Sequence, residues 1–174
     1  DLGTTSVIEI STIDDRVAVA NEEFSGQLLY EYGDVTDFEF VVGLFSRYEI
    51  NGVVHFGEQR SAPYSMKGSL ESRYTLQNNL LGSQNLCEVI ARHHPNIPIV
   101  HLGTMGVYGY DNSFGEIPEG YIEVSRTSSG KPLPHLSPRL ITYPYNPGSI
   151  YHLTKCLDNQ LFQFYAKNWG LKIT

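Results

Sequence analysis

The chain has 174 residues, enough for about one domain with a continuous core. With 41% hydrophobic and 18% charged residues, 12 Lys plus Arg against 19 Asp plus Glu, and a formal charge of −7, its composition is that of a mildly acidic globular protein and excludes a disordered or collagen-like one. No nucleic-acid partner is expected, because the densest basic stretch, 131–139, carries only Lys131 and Arg139 in a proline-rich context; no membrane span is expected, since no apolar run approaches the ~20 residues that one needs.

Residues 27–32 are a short aromatic-rich apolar run closed by Gly33-Asp34 and predict a strand. Asp37 then caps a helix over 38–48 with Phe40, Val41, Leu44 and Phe45 on one face. Gly52-Val53-Val54-His55-Phe56-Gly57 predicts a strand apolar on both faces, as in the middle of a parallel sheet. The spacing of Leu70, Tyr74, Leu81, Leu86, Val89 and Ile90 predicts a long helix over 69–93 that Pro95 stops, and 98–103 reads as a third strand. Residues 110–148 hold six of the nine prolines and predict a long loop, either a binding loop or a surface insertion. A helix over 150–168, Gly170 and a strand beginning at 171–174 complete the pattern.

Strands separated by helices predict an open, doubly wound α/β fold with a parallel sheet and helices on both faces. Ligands of such sheets sit beyond the carboxyl ends of the strands, where Asp34, 57–60 and 103–109 fall. Cys87 and Cys156 lie in apolar contexts and are expected as reduced, buried thiols in a reducing compartment. The chain opens at Asp1 rather than Met, and is expected to be a piece of a longer protein.

Gly103-Thr104-Met105-Gly106-Val107-Tyr108-Gly109 has glycine spacing close to a dinucleotide fingerprint, but no helical run follows whose amide end could hold a pyrophosphate. Its glycines are better suited to bringing the backbone near a ligand and presenting Thr104. Tyr151-His152-Leu153-Thr154-Lys155 places a phenol and an ammonium at i and i+4 on one helix face. Lys155 is expected to lower the Tyr151 pKa, so that the phenol can act as a general base on an alcohol.

These residues resemble the extended short-chain dehydrogenase/reductase family, the nucleotide-sugar epimerases and dehydratases, which share a Ser/Thr, Tyr and Lys triad. The segments 33–40, Val54-His55-Phe56-Gly57-Glu58-Gln59-Arg60-Ser61-Ala62-Pro63-Tyr64-Ser65-Met66, Asn78-Asn79, 102–106 and 151–155 are similar to the UDP-sulfoquinovose synthase subfamily. The resemblance runs over nearly the whole chain. It implies a Rossmann-type domain that is incomplete at both ends, the glycine-rich loop and the C-terminal sugar-nucleotide domain lying outside 1–174, and a segment inactive alone.

The resemblance implies NAD as cofactor, with Asp34 and Val35 at its adenine end, Gly57 letting the backbone approach, Asn78 bonding within the site and Lys155 on the nicotinamide ribose. It implies Thr104, Tyr151 and Lys155 as catalytic residues, and Gln59, Arg60, Thr104, Met105, Tyr151 and His152 as substrate contacts. UDP-glucose would lose hydride from C4 to the cofactor and a proton to Tyr151; water would leave across C5 and C6, sulfite or a sulfite donor would add at C6, and the hydride would return. Arg60 would offer paired donors to an anion.

Met105-Gly106 stand where 4,6-dehydratases carry an acidic pair, which argues against a plain dehydratase. Val107 stands where members of the synthase subfamily often carry Glu. A 4-epimerase, or a catalytically dead interaction module, are the alternatives. His93-His94 read as a helix end rather than metal ligands, and no metal is expected; His55 and His101 read as core-edge residues, Trp169 as core, and Tyr64, Tyr108 and the 143–145 pair as pocket candidates. The resemblance further implies a homo-oligomer at full length, in the cytoplasm or the plastid stroma.

Overall fold

Thr12 opens the first helix, α1 (Ile13–Glu23), through a reciprocal cap: its hydroxyl accepts the Asp15 N–H (3.1 Å) and the Asp15 carboxylate accepts the Thr12 N–H (3.2 Å). The Thr12-x-x-Asp15 pattern is the sequence signal for this helix, which the periodicity did not reveal. The computed structural model describes residues 12–24, 27–110, 116–117, 120–125, 127–128, 131–132 and 137–174, in two units, Asp1–Asp34 and Val35–Thr174. In the first unit the strand expected over 27–32 is absent from the described residues. The Asn21 side chain takes both the N–H and the carbonyl of Leu28, so the groups that a ladder would use there are already engaged.

The second unit follows the expected order. Asp37 accepts the N–H groups of Glu39 and Phe40 (3.0 and 3.3 Å) and starts α2 (Phe38–Arg47). Strand β1 (Val53–His55) leads to a single turn, α3 (Ala62–Ser65), that Ser61 caps, and to α4 (Ser69–His93), whose C-cap is His94. Strand β2 (Ile99–His101) is followed by a 3₁₀ turn, Met105–Tyr108. The last helix, α5 (Ile150–Trp169), is capped by the Ser149 hydroxyl and ended by Gly170 at φ 72°, a left-handed conformation that glycine adopts without cost.

Strands β1 and β2 pair in parallel, with Val53 opposite Ile99 and His55 opposite His101, and Ile173 bridges Ile99 on the other side, also in parallel. Alternation sends Val53, His55, Ile99 and His101 to one face. There Cys87 and Ile90 of α4 pack with Ile99, with Phe162 and Tyr165 of α5 and with Leu171, while Val41 of α2 meets Leu86 and Val89. Each such fully buried aliphatic or aromatic side chain contributes about 1.5–3 kcal/mol. The described helices of this unit cover that face alone; Val54, Phe56, Val100 and Leu102, on the opposite face, are 45–64% exposed. Cys87 and Cys156 are both buried and free, as expected of reduced thiols. Trp169, expected in the core, is 41% exposed at the end of α5, where it lies against the Tyr165 ring.

Among the described residues, the segment expected as a loop over 110–148 contains four short antiparallel strands, β3 (Tyr121–Val124), β4 (Thr127–Ser128), β5 (Lys131–Pro132) and β6 (Arg139–Thr142), with β4–β5 nested inside β3–β6. The prolines hid them, since strands of two to four residues give too few alternations to compete with a proline signal. Residues 111–115, 118–119, 126, 129–130 and 133–136 of that segment lie outside the described residues. No described helix is long and apolar enough to cross a membrane.

Candidate active site

The carboxyl ends of β1 and β2 bring two histidines together. His55 and His101 occupy the same register position, and their rings stack at 5.6 Å. Just beyond β1 the chain turns, with the Glu58 N–H donating to the Phe56 carbonyl, and the Glu58 carboxylate lies 3.7 Å from His55 Nε2 and 3.6 Å from His101 Nε2. Helix α5 adds Lys155 and, one turn on, Asp158. Lys155 Nζ lies 2.6 Å from Glu58 Oε2, donates to the Leu102 carbonyl (2.7 Å) and meets His101 Nε2 at 3.3 Å. Asp158 Oδ2 is 3.7 Å from His101 Nε2, and His55 Nε2 meets the Ser83 hydroxyl of α4 at 3.3 Å.

Five ionisable groups are therefore shut in together. Burial, then the charge of Lys155, pushes His55 down to about 4 and His101 down to about 3, so both imidazoles are neutral at pH 7. Burial, then the neighbouring Glu58 charge, pushes Asp158 up to about 8, leaving it protonated there. Burial also raises Glu58, against which Lys155 acts by hydrogen bonding and by its charge. Lys155 and Glu58 make the shortest oppositely charged contact of the cluster, at 2.6 Å. The donor atoms of His55, Glu58 and His101 lie within 4.8 Å of one another, compact enough for a metal-ligand set, and the Lys155 ammonium brings its own cation to them.

Tyr151 and Lys155 share the start of α5 as the spacing predicted, but the ammonium does not act as expected. The Tyr151 pKa is raised, by burial first and then by the charges of Glu58 and Asp158. The reason is geometric, since Lys155 is paired with Glu58 and Leu102. The buried Ser65 hydroxyl of α3 accepts the Tyr151 N–H (3.1 Å) and fixes the first turn of α5. Thr104 lies at the end of β2, where its hydroxyl accepts the Gly106 N–H (3.2 Å) and starts the 3₁₀ turn.

His152 is buried beneath that turn, its Nδ1 3.0 Å from the Ser149 hydroxyl and its Nε2 3.4 Å from the Tyr110 hydroxyl, and burial lowers its pKa. Gly106 is required there, because a Cβ would come within 2.1 Å of His152 Nε2. Met105 is 83% exposed, and Val107 is buried. The rings of Tyr143 and Tyr145 gather around Tyr108 at 5.7 and 5.9 Å.

Gln59 is held from both sides by one side chain. Asn79 accepts the Gln59 N–H (2.8 Å), donates to the Gln59 carbonyl (3.1 Å) and reaches the Thr154 hydroxyl (3.0 Å). Asn78, the neighbour that the resemblance singles out, is half-buried and donates to Asn79 Oδ1 (3.1 Å). Arg60 is exposed just past β1. Asp34 is exposed at the end of the first unit, and Val35 begins the second, where its carbonyl accepts from Asn85 (3.0 Å). A Cβ on Gly57 would make only ordinary contacts, with the Val35 and His55 side chains at 3.7–3.8 Å, and one on Gly103 would meet nothing within 4 Å. The residues that sequence reasoning passed over are Glu58, Asn79, Ser83 and Asp158, together with the chemistry of His55 and His101. The available signals were two histidines at matching strand positions and an acid three residues after Lys155.

Parallel strands β1 and β2 packed against α4 and α5 make an α/β arrangement of the Rossmann type. Residues 4–174 match the family described as NAD dependent epimerase/dehydratase, and the chain belongs to that family. It is 37% identical over 173 residues to the chloroplastic UDP-sulfoquinovose synthase of Spinacia oleracea, covering 99% of this chain and 34% of the relative. It is 32% identical over 174 residues to the UDP-sulfoquinovose synthase of Sulfolobus acidocaldarius, covering all of this chain and 42% of the relative. The chain thus spans between a third and a half of the length of these relatives. The crystal structure of UDP-glucose 4-epimerase from Brucella ovis in complex with NAD shares the fold, with a TM-score of 0.61 at 19% identity, covering 86% of this chain and 37% of that one.

Proposed function

We propose that the chain is the central part of an NAD-dependent nucleotide-sugar enzyme of the UDP-sulfoquinovose synthase type, which converts UDP-glucose and sulfite, or a sulfite donor, to UDP-sulfoquinovose. The observation that supports this reading is the 37% identity to a synthase over 99% of this chain, beside a Lys155 ammonium that reaches the end of β2 by donating to the Leu102 carbonyl. The open space over Gly103 lets a ligand approach the backbone, and the donors of Tyr151 and Lys155 suit the sugar hydroxyls of a cofactor.

NAD, when bound, supplies the hydride acceptor and donor. Asn78, Gly57, Tyr151 and Lys155 would hold it in the second unit, and the resemblance adds Asp34 and Val35 for its adenine end. Tyr151 accepts and returns the proton of the sugar hydroxyl while Thr104 hydrogen-bonds the same oxygen. Lys155 supplies the positive charge that a phenolate needs, which requires the ammonium to be shared between Glu58 and the Tyr151 side. Gln59, Met105 and His152 line the sugar, and Arg60 offers its guanidinium to sulfite or a phosphate.

A UDP-sugar 4-epimerase is the second reading, favoured by Val107, whose apolar, buried side chain supplies no acid next to the 3₁₀ turn. The protein works as a homo-oligomer in the cytoplasm or in the plastid stroma, the latter supported by the chloroplastic spinach relative. The test is the full open reading frame containing this chain, purified and supplied with NAD, UDP-glucose and sulfite, with product masses recorded. A sulfonated UDP-hexose is the expected product; UDP-galactose or an unsulfonated 4-keto sugar would move the enzyme to another branch of the family.

A further inference from the structure

Glu58 stands outside the Thr104, Tyr151 and Lys155 set, yet the fold goes to some length to deliver it. Its carboxylate and the Lys155 ammonium are each only 4% exposed, and removing two charges from water costs several kcal/mol apiece unless each is well paired. Asn79 clamps the next residue, Gln59, through both its N–H and its carbonyl, so the loop that carries Glu58 is held in place. An ammonium has three hydrogens. Around Lys155 Nζ three acceptors already stand, Glu58 Oε2 at 2.6 Å, the Leu102 carbonyl at 2.7 Å and His101 Nε2 at 3.3 Å. Any further partner must therefore displace one of them, and the neutral, most distant one is His101.

We propose that Glu58 is a positioning residue of this site, holding the Lys155 ammonium at the carboxyl ends of β1 and β2 and setting the net charge that Tyr151 faces. The proposal rests on the reading of Tyr151 as the proton-transfer residue. The titratable groups facing Glu58 are His55 on β1, His101 on β2, and Lys155, Asp158 and Tyr151 on α5, with Cys87 of α4 behind Asp158. The two histidines are neutral and Asp158 is protonated near pH 7; burial raises Glu58 while Lys155 acts against that rise, and the Glu58 charge, after burial, opposes ionisation of Tyr151.

The test is Glu58→Gln in the full-length protein. The limb of the kcat/KM profile that rises with pH is expected to move to lower pH, with a higher rate at any fixed pH on that limb, because one of the charges that add to burial in raising Tyr151 is gone. Glu58→Asp keeps the charge and should leave the limb near its wild-type position. A folded Glu58→Gln protein with an unmoved limb overturns the proposal, since a packing role alone would lower the rate without moving the profile. A second measurement needs neither turnover nor a tolerated variant at 58. In ¹⁵N-lysine spectra of the wild-type protein, one ammonium, missing from Lys155→Met, should exchange slowly with water. A Lys155 ammonium that exchanges like a surface lysine overturns the proposal equally. A wild-type protein that turns over no UDP-sugar would sink the reading of the reaction and leave the lysine spectra to decide on Glu58.

Discussion

The side chains of Asn79 and Thr154 meet at 3.0 Å and join α4 to α5 at the point where both approach the site. The Thr154 hydroxyl then donates to the Tyr151 carbonyl (2.7 Å), so a single buried amide connects the Gln59 loop with the first turn of the helix that carries Tyr151.

Asn79→Ala should therefore be costly. It strips the partner from the Gln59 N–H and the Gln59 carbonyl in a buried setting, and leaving buried polar groups unpaired costs about 1–3 kcal/mol each. A loss of about 2–4 kcal/mol is expected in urea unfolding of the full-length protein. A change under half a kcal/mol would mean that water takes over these bonds.

Gly106→Ala should force His152 out of its place, because the new Cβ has no room beside the imidazole. Overpacking of this kind costs about 1–3 kcal/mol. Combining it with His152→Ala should return most of that loss, which makes the pair non-additive in thermal melts. Additive losses would show that the two residues do not share the space under the 3₁₀ turn.

Tyr151→Phe keeps the ring and removes the proton-transfer group. A loss of about 10²–10⁴ in kcat is expected, with NAD affinity within a few-fold of wild type. Unchanged turnover would reassign the proton transfer to another group.

Asp158 gives a pH signature. Its folded-state pKa is raised to about 8 from the 3.8 of an ordinary aspartate, so its contribution to stability is full below about 4 and is lost as the pH rises toward 8. Asp158→Asn imitates the protonated form at every pH. The fall in melting temperature between pH 5 and pH 8.5 should accordingly be smaller in the variant than in wild type, and equal slopes would show that the carboxyl ionises normally.

The three long helices of the second unit were legible because their signals are local: Asp37 before 38–48, the apolar spacing over 69–93 and the stretch 150–168 before Gly170, whereas the single turn α3 gave too short a pattern to be read. The parallel pairing of β1 with β2 followed from the long helix between them. The strand expected over 27–32 failed for a reason that no local pattern contains, namely that Asn21 competes for the Leu28 backbone. The Tyr151-to-Lys155 spacing was legible, but the partner of Lys155 was not. Spacing on α5 says which residues share a face, whereas Glu58 arrives from the turn after β1, and only the fold shows that the two meet.

The Glu58–Lys155 pair also bears on temperature. The hydration of charged groups carries a strongly negative entropy, so the cost of stripping water from this carboxylate and this ammonium falls as the protein warms. The interior between β1, β2 and α5 is accordingly held together at a smaller penalty in the heat than in the cold, and cooling is the condition under which its buried charges weigh most against folding.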